Sequence, residues 1–133
     1  MLLYIHDNRT LKELQEDFNL AFPYLRLEFF SKPHGTGEAS AEKNKLNNYM
    51  QLIAVRASHR NGAVEIQEWH TVKSIEQVLQ NDYKLPVQIY HFTHAGWIET
   101  IIADEVTLKE LNEQGKRAAG EMFHPPFNTQ SFQ

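Results

Sequence analysis

Residues 50–68 read MQLIAVRASHRNGAVEIQE. Two apolar runs, 50–57 and 63–68, flank a polar segment, and its Asn61-Gly62 pair supplies the positive φ angles of a tight β-turn. The expectation is a β-hairpin. If it forms, the second half of the chain is a sheet curled around the next element.

That element is a helix. Thr71 leads an apolar stripe of Val72, Ile75, Val78 and Leu79, which lie on one face of a helix. The same entrance chemistry occurs twice more as TLKEL, at Thr10 and Thr107. In each TLKEL the threonine hydroxyl can accept the N–H of the glutamate three places on, while that glutamate reaches back to the threonine N–H, a capping box. The repetition is that of three capped helices and carries no catalytic meaning.

Further strands are expected at 1–6 (MLLYIH), 24–30 (YLRLEFF), 86–92 (PVQIYHF) and 97–103 (WIETIIA), the last two joined through a turn at THAG. Residues 1–30 and 64–92 align as two strand–helix–strand units. Duplication and independent similarity of capped helices account for this equally well.

Over residues 50–112 the order of elements resembles the ubiquitin-like β-grasp family. The likeness rests on an opening strand at Met50-Gln51, the glycine turn at Gly62, the helix at Thr71, the Leu85-Pro86 and Ala95-Gly96 turns, and the late Thr107-Leu108 pair. It implies a two-layer α+β sandwich with residues 1–31 as a strand–helix–strand extension that completes or shields the sheet. The family's last strand is missing after TLKELN, and no Gly-Gly tail ends the chain, so conjugation is not implied. The alternative is a ferredoxin-like arrangement of the two strand–helix–strand units. The whole chain also resembles small bacterial proteins of unknown function that end in T-L-x-E-x-N, and this adds no activity.

Composition fits one domain over 1–133, with a polar loop at 32–48 and a helix end and tail at 113–133. Its 41% hydrophobic and 23% charged residues are ordinary for a globular chain. A net charge of −4 with scattered basic residues argues against nucleic acid as a partner. The absence of cysteine removes thiolate chemistry and leans toward a cytoplasmic setting. No apolar run reaches membrane-spanning length, and MLLYIHDNRT lacks the basic lead of a signal peptide.

No catalytic signature, cofactor motif or metal-ligand spacing is present. His91 and His94 straddle a strand end, and neither Ser58-His59 nor Ser31 with His34 is a nucleophile–base pattern. The expected function is therefore a non-enzymatic protein-interaction or scaffold module. By resemblance to β-grasp proteins, its docking patch is Tyr90, Phe92 and Trp97, which alternate to the outer sheet face. Against this stands burial of the patch under the N-terminal unit. The second candidate is a small-ligand or enzyme site in the 32–48 loop, with Lys32, His34, Gly35, Gly37 and Glu38; a flexible connector is the plainer reading. The tail phenylalanines Phe123, Phe127 and Phe132, at about 1.5–3 kcal/mol each between exposed and buried states, predict that the tail packs on its own domain or on a second copy.

Overall fold

The computed structural model describes residues 1–35, 39–101 and 105–123. The chain runs β1 (Leu2–Ile5), α1 (Leu11–Ala21), β2 (Leu25–Phe29), a 3-10 turn (Glu42–Asn44), α2 (Leu52–Val55) and β3 (Gly62–Glu65). Then come α3 (Val72–Gln77), widening into a π-helical turn at Val78–Asp82, β4 (Val87–Thr93), β5 (Gly96–Glu99) and α4 (Leu108–Phe123). The class is α+β, with two small antiparallel sheets ordered β1-β3 and β2-β4-β5.

All three threonine caps form. Thr10 accepts from the Glu13 N–H at 3.2 Å and its own N–H meets Glu13 Oε1 at 2.8 Å. Thr107 and Glu110 repeat the exchange at 3.1 and 3.2 Å. Thr71 accepts from Ser74 N–H, and the Ser74 hydroxyl donates to the Thr71 carbonyl. Leu11, Leu14 and Phe18 of α1 then join Val72, Ile75 and Leu79, and Leu108 and Leu111 of α4, in one core.

The hairpin expected at 50–68 does not form. Leu52–Val55 is a helical turn with Leu52 fully buried and Ile53 55% exposed. Its leading donors are engaged elsewhere: Leu52 N–H on the Arg9 carbonyl and Ile53 N–H on that of Asp7, at 2.9 and 3.0 Å. Arg56 then turns inward, giving Nε and Nη2 to Asp7 and Nη1 to the carbonyls of Arg60 and Tyr83. β3, freed from a local partner, pairs with β1 through Leu3↔Val64. The strand pairing on which the β-grasp likeness depended is thus replaced by a pairing to the N-terminus. A single ferredoxin-like sheet is not formed either, because β1 and β2 lie in different sheets.

The two strand–helix–strand units are related by an approximate two-fold axis. Matching Leu3 with Val64 carries Thr10 onto Thr71, and Leu3 pairs with Val64 itself. Likewise Leu27 matches Ile89, and the two pair directly in the β2–β4 ladder. The long-range bonds repeat in couples. Leu11 N–H to Met50 O answers Val72 N–H to Val106 O, and Leu52 N–H to Arg9 O answers Leu108 N–H to His70 O. Phe30 N–H to Pro86 O answers Phe92 N–H to Tyr24 O. The single bridge Phe30↔Lys45 stands where the second unit has Phe92↔Trp97, the start of the β4–β5 ladder.

β4 and β5 make the hairpin expected at THAG, with Gly96 at φ +96°, a conformation that side chains disfavour. The strand expected over 97–103 is shorter. β5 ends at Glu99, Thr100 and Ile101 are irregular, and 102–104 lie outside the described residues. So does the tail from His124 on, and with it the expectation that the tail packs.

Candidate functional site

The outer face of the β2-β4-β5 sheet is set by alternation. Leu25, Leu27 and Phe29 of β2 and Val87 and Ile89 of β4 point into the core, so Arg26, Glu28, Gln88, Tyr90 and Phe92 point away from it. Register places Arg26 beside Tyr90, Tyr90 beside Glu99, and Phe92 beside Trp97. Tyr90, Phe92 and Trp97 therefore share the face the sequence predicts for them. Phe92 and Trp97 meet edge-on with centroids 5.5 Å apart, and Tyr24 lies 6.4 Å from Phe92. Arg26, which sequence reasoning missed, sits 4.3 Å above the Trp97 ring, a cation–π contact.

The N-terminal unit does not cover this face, because β2 pairs edge-on with β4 and extends the sheet. Partial cover comes from the second part of the polar loop. Ser40 N–H donates to Glu99 Oε2, Gln88 Nε2 donates to Ser40 Oγ, and Lys45 lies 5.0 Å over the Tyr90 ring. Tyr90 is consequently only 8% exposed, and its hydroxyl donates to Glu99 Oε1 at 3.2 Å. Burial, with Glu99 beside it, raises the Tyr90 pKa. Phe92 and Trp97 remain half-open.

The two sides of this sheet end differently. On β2, Gln15 Nε2 donates to the Leu27 carbonyl and Asn19 Nδ2 to that of Leu25, so side chains of α1 occupy the strand's outward acceptors. On β5 the ladder turns Ile98 toward His91 of β4, and Thr100 N–H reaches the Ile89 carbonyl. The N–H and C=O groups of Trp97 and Glu99 therefore point away from β4, and no described residue pairs with them. Ile98 and Ile101 beside this edge are 43% and 52% exposed.

The second sequence candidate is partly dispersed. Lys32 and Gly35 are exposed, while Gly37 and Glu38 lie outside the described residues. The side chain of His34 is buried, with Nδ1 2.8 Å from the Gly35 carbonyl and Nε2 2.8 Å from that of Val87. Both ring nitrogens thus lie against backbone carbonyl oxygens. Its Nε2 is 3.8 Å from Glu76 Oε1. Glu76 Oε2 accepts the Ile89 N–H at 2.8 Å. Burial pushes the Glu76 carboxyl up to about 7; the Ile89 N–H and His34 pull it back, and Glu99 adds to the rise. The signal for Glu76 was in the sequence: it falls on the stripe 72, 75, 76, 79 that the helix buries.

A smaller cleft of about 260 Å³ opens between the β4–β5 turn and α4, lined by His91, His94, Gln114, Arg117 and Glu121 among others. His91 Nδ1 lies 2.6 Å from Thr100 Oγ1, and burial lowers its pKa. His94 is tied to Glu121 at 2.9 Å. Among the described residues no group of three or more His, Asp or Glu side chains could hold a metal ion, and no helix is long and apolar enough to cross a membrane. No family model matches the chain, and neither the curated proteins nor the solved structures give a match.

Proposed function

We propose that this protein is a non-enzymatic interaction module that receives an extended segment of a partner chain along β5, with Phe92, Trp97 and Arg26 flanking the added strand. The observation that carries this reading is the contrast between edges: α1 side chains occupy β2's outward carbonyls, whereas Trp97 and Glu99 present theirs beside a half-open aromatic face. Strand addition draws affinity from such main-chain groups and selectivity from alternate side chains. The 32–48 loop is the weaker site, because its histidine ring is committed to two backbone carbonyls. The lack of cysteine fits a cytoplasmic setting for the module.

The test is quantitative binding of a partner by wild type and Trp97→Ala, paired with amide exchange. Trp97 is a candidate anchor, and truncating such a residue costs about 2 kcal/mol, roughly 30-fold in affinity. Bound partner should also slow exchange at Trp97 and Glu99. Unchanged affinity together with unchanged exchange at both amides would rule out docking at this edge.

A further inference from the structure

We infer that the chain occupying the β5 edge is a second copy of this protein, paired strand to strand about a two-fold axis at Ile98. The inference rests on the edge-docking reading and adds the identity of the occupant. Antiparallel pairing of β5 with itself has one register in which both outward residues of each strand, Trp97 and Glu99, face outward residues of the other β5. With Ile98 opposite Ile98, Trp97 of each copy faces Glu99 of the other, and each such couple exchanges two N–H···O=C bonds. These are the residues whose main-chain groups point outward.

The side chains agree with that register on both faces. On the core-side face the axis brings together two Ile98 side chains, each 43% exposed in the single chain. On the outer face Trp97, carrying the Arg26 guanidinium 4.3 Å above its ring, comes beside Glu99 of the second copy. The positive charge stacked on Trp97 of one copy and the Glu99 carboxylate of the other thus share the outer face, and that carboxylate's bonds to Tyr90 and Ser40 leave lone pairs available. Opposite charges on one face of a strand pair favour it, and like charges oppose it. A shift of one residue would set outward groups against inward ones and break this match. Because the edge is only four residues long, the interface belongs with the small, concentration-dependent ones.

Sedimentation and cysteine cross-linking decide the matter. The chain has no cysteine, so a single Ile98→Cys substitution reports on the axis alone. Residues in a non-hydrogen-bonded antiparallel couple lie about 4.5 Å apart at Cα, within the span of a disulfide. Mild oxidation should join Ile98→Cys into a covalent dimer, and should leave the control Leu20→Cys, at an 84% exposed helix position, unjoined. The average mass of wild type should climb with concentration from 15.5 kDa toward twice that value, and Ile98→Lys should hold it at one chain. A wild type that stays monomeric at about 1 mM, a dimer that survives Ile98→Lys, or cross-linking no faster than the control would each overturn the inference. If it falls while a different partner still loses affinity on Trp97→Ala, the docking reading stands with another occupant. If that loss is also absent, both fall.

Discussion

Gln15 and Glu76 occupy two-fold-equivalent places and do complementary work on one strand pair. Gln15 Nε2 donates to the carbonyl of Leu27, and Glu76 Oε2 accepts the N–H of Ile89, each at 2.8 Å. Leu27 and Ile89 face each other in the β2–β4 ladder. Each helix thus sends a side chain to the far side of the strand pair, where the backbone would otherwise lack a partner. In the first unit the group is a neutral amide; in the second it is a buried acid.

That difference makes stability depend on pH. The folded carboxyl sits up near 7 against an ordinary 4.5, chiefly through burial. Between those values the folded chain keeps a proton that the unfolded chain releases. The contribution is therefore full below 4.5 and is lost as pH rises through about 7, a swing on the order of 3 kcal/mol. Glu76→Gln keeps an acceptor for Ile89 and removes the titration, as Gln15 does by nature. Thermal unfolding should place the variant above wild type at pH 8, with the gap closing toward pH 5. His91, whose pKa is lowered by burial, acts oppositely in both proteins, because its contribution is lost as pH falls below its ordinary 6.5. His91 therefore cancels from the difference between variant and wild type, which reports on Glu76 together with its contact to His34.

Asp7 gives a second pH effect, at the acid end. Burial alone would raise its carboxyl, but the Arg56 and His59 hydrogen bonds and charges outweigh it and hold the pKa below 3.8. A lowered folded pKa means stability present above 3.8 and lost as pH falls through the folded value. Asp7→Asn should unfold at lower temperature than wild type at pH 7, with the difference shrinking on acidification toward pH 2. It should do so although Asp7 is partly open, because the Arg56 side chain it serves is fully buried.

Gly115 reverses a usual rule. Replacing an interior helical glycine by alanine ordinarily stabilises by about 1 kcal/mol. A Cβ at this position would stand 2.5 Å from Tyr24 Cβ, next to the backbone of the turn into β2. Gly115→Ala should therefore destabilise by about 1–3 kcal/mol in denaturant unfolding, the cost of forced overpacking. Gly120→Ala, which meets nothing within 4 Å, should show the ordinary gain and serve as the control.

The caps predict a graded series. Thr10→Ala and Thr107→Ala each break a two-way capping box and should cost about 1 kcal/mol of unfolding free energy. Serine at either position should restore most of it, since the hydroxyl is what the N–H requires.

The helix starts at Thr10, Thr71 and Thr107, the β4–β5 hairpin, and the shared face of Tyr90, Phe92 and Trp97 were all legible in the sequence. Each rests on contacts between residues a few places apart, or on two-residue alternation, and local chemistry suffices for these. The alignment of 1–30 with 64–92 was legible and set Thr10 against Thr71, although residue identity alone pairs Thr10 with Thr107. The two identical TLKEL segments open α1 and α4, whereas the structural counterpart of Thr10 is Thr71, in the weaker TVKSI.

Only the tertiary structure decided the rest, and residues 50–57 show why. Their apolar run suits a strand or a buried turn alike, and the outcome turned on which distant carbonyls would take the donors of Leu52 and Ile53. Arg9 and Asp7 supply them, which releases β3 to β1 and sends Arg56 inward. The same holds for His34 and Glu76 and for Arg26 on Trp97: their side-chain types are plain in the sequence, but their neighbours come from elements far along the chain. A linear sequence records what a residue can pair with, and packing selects the partner.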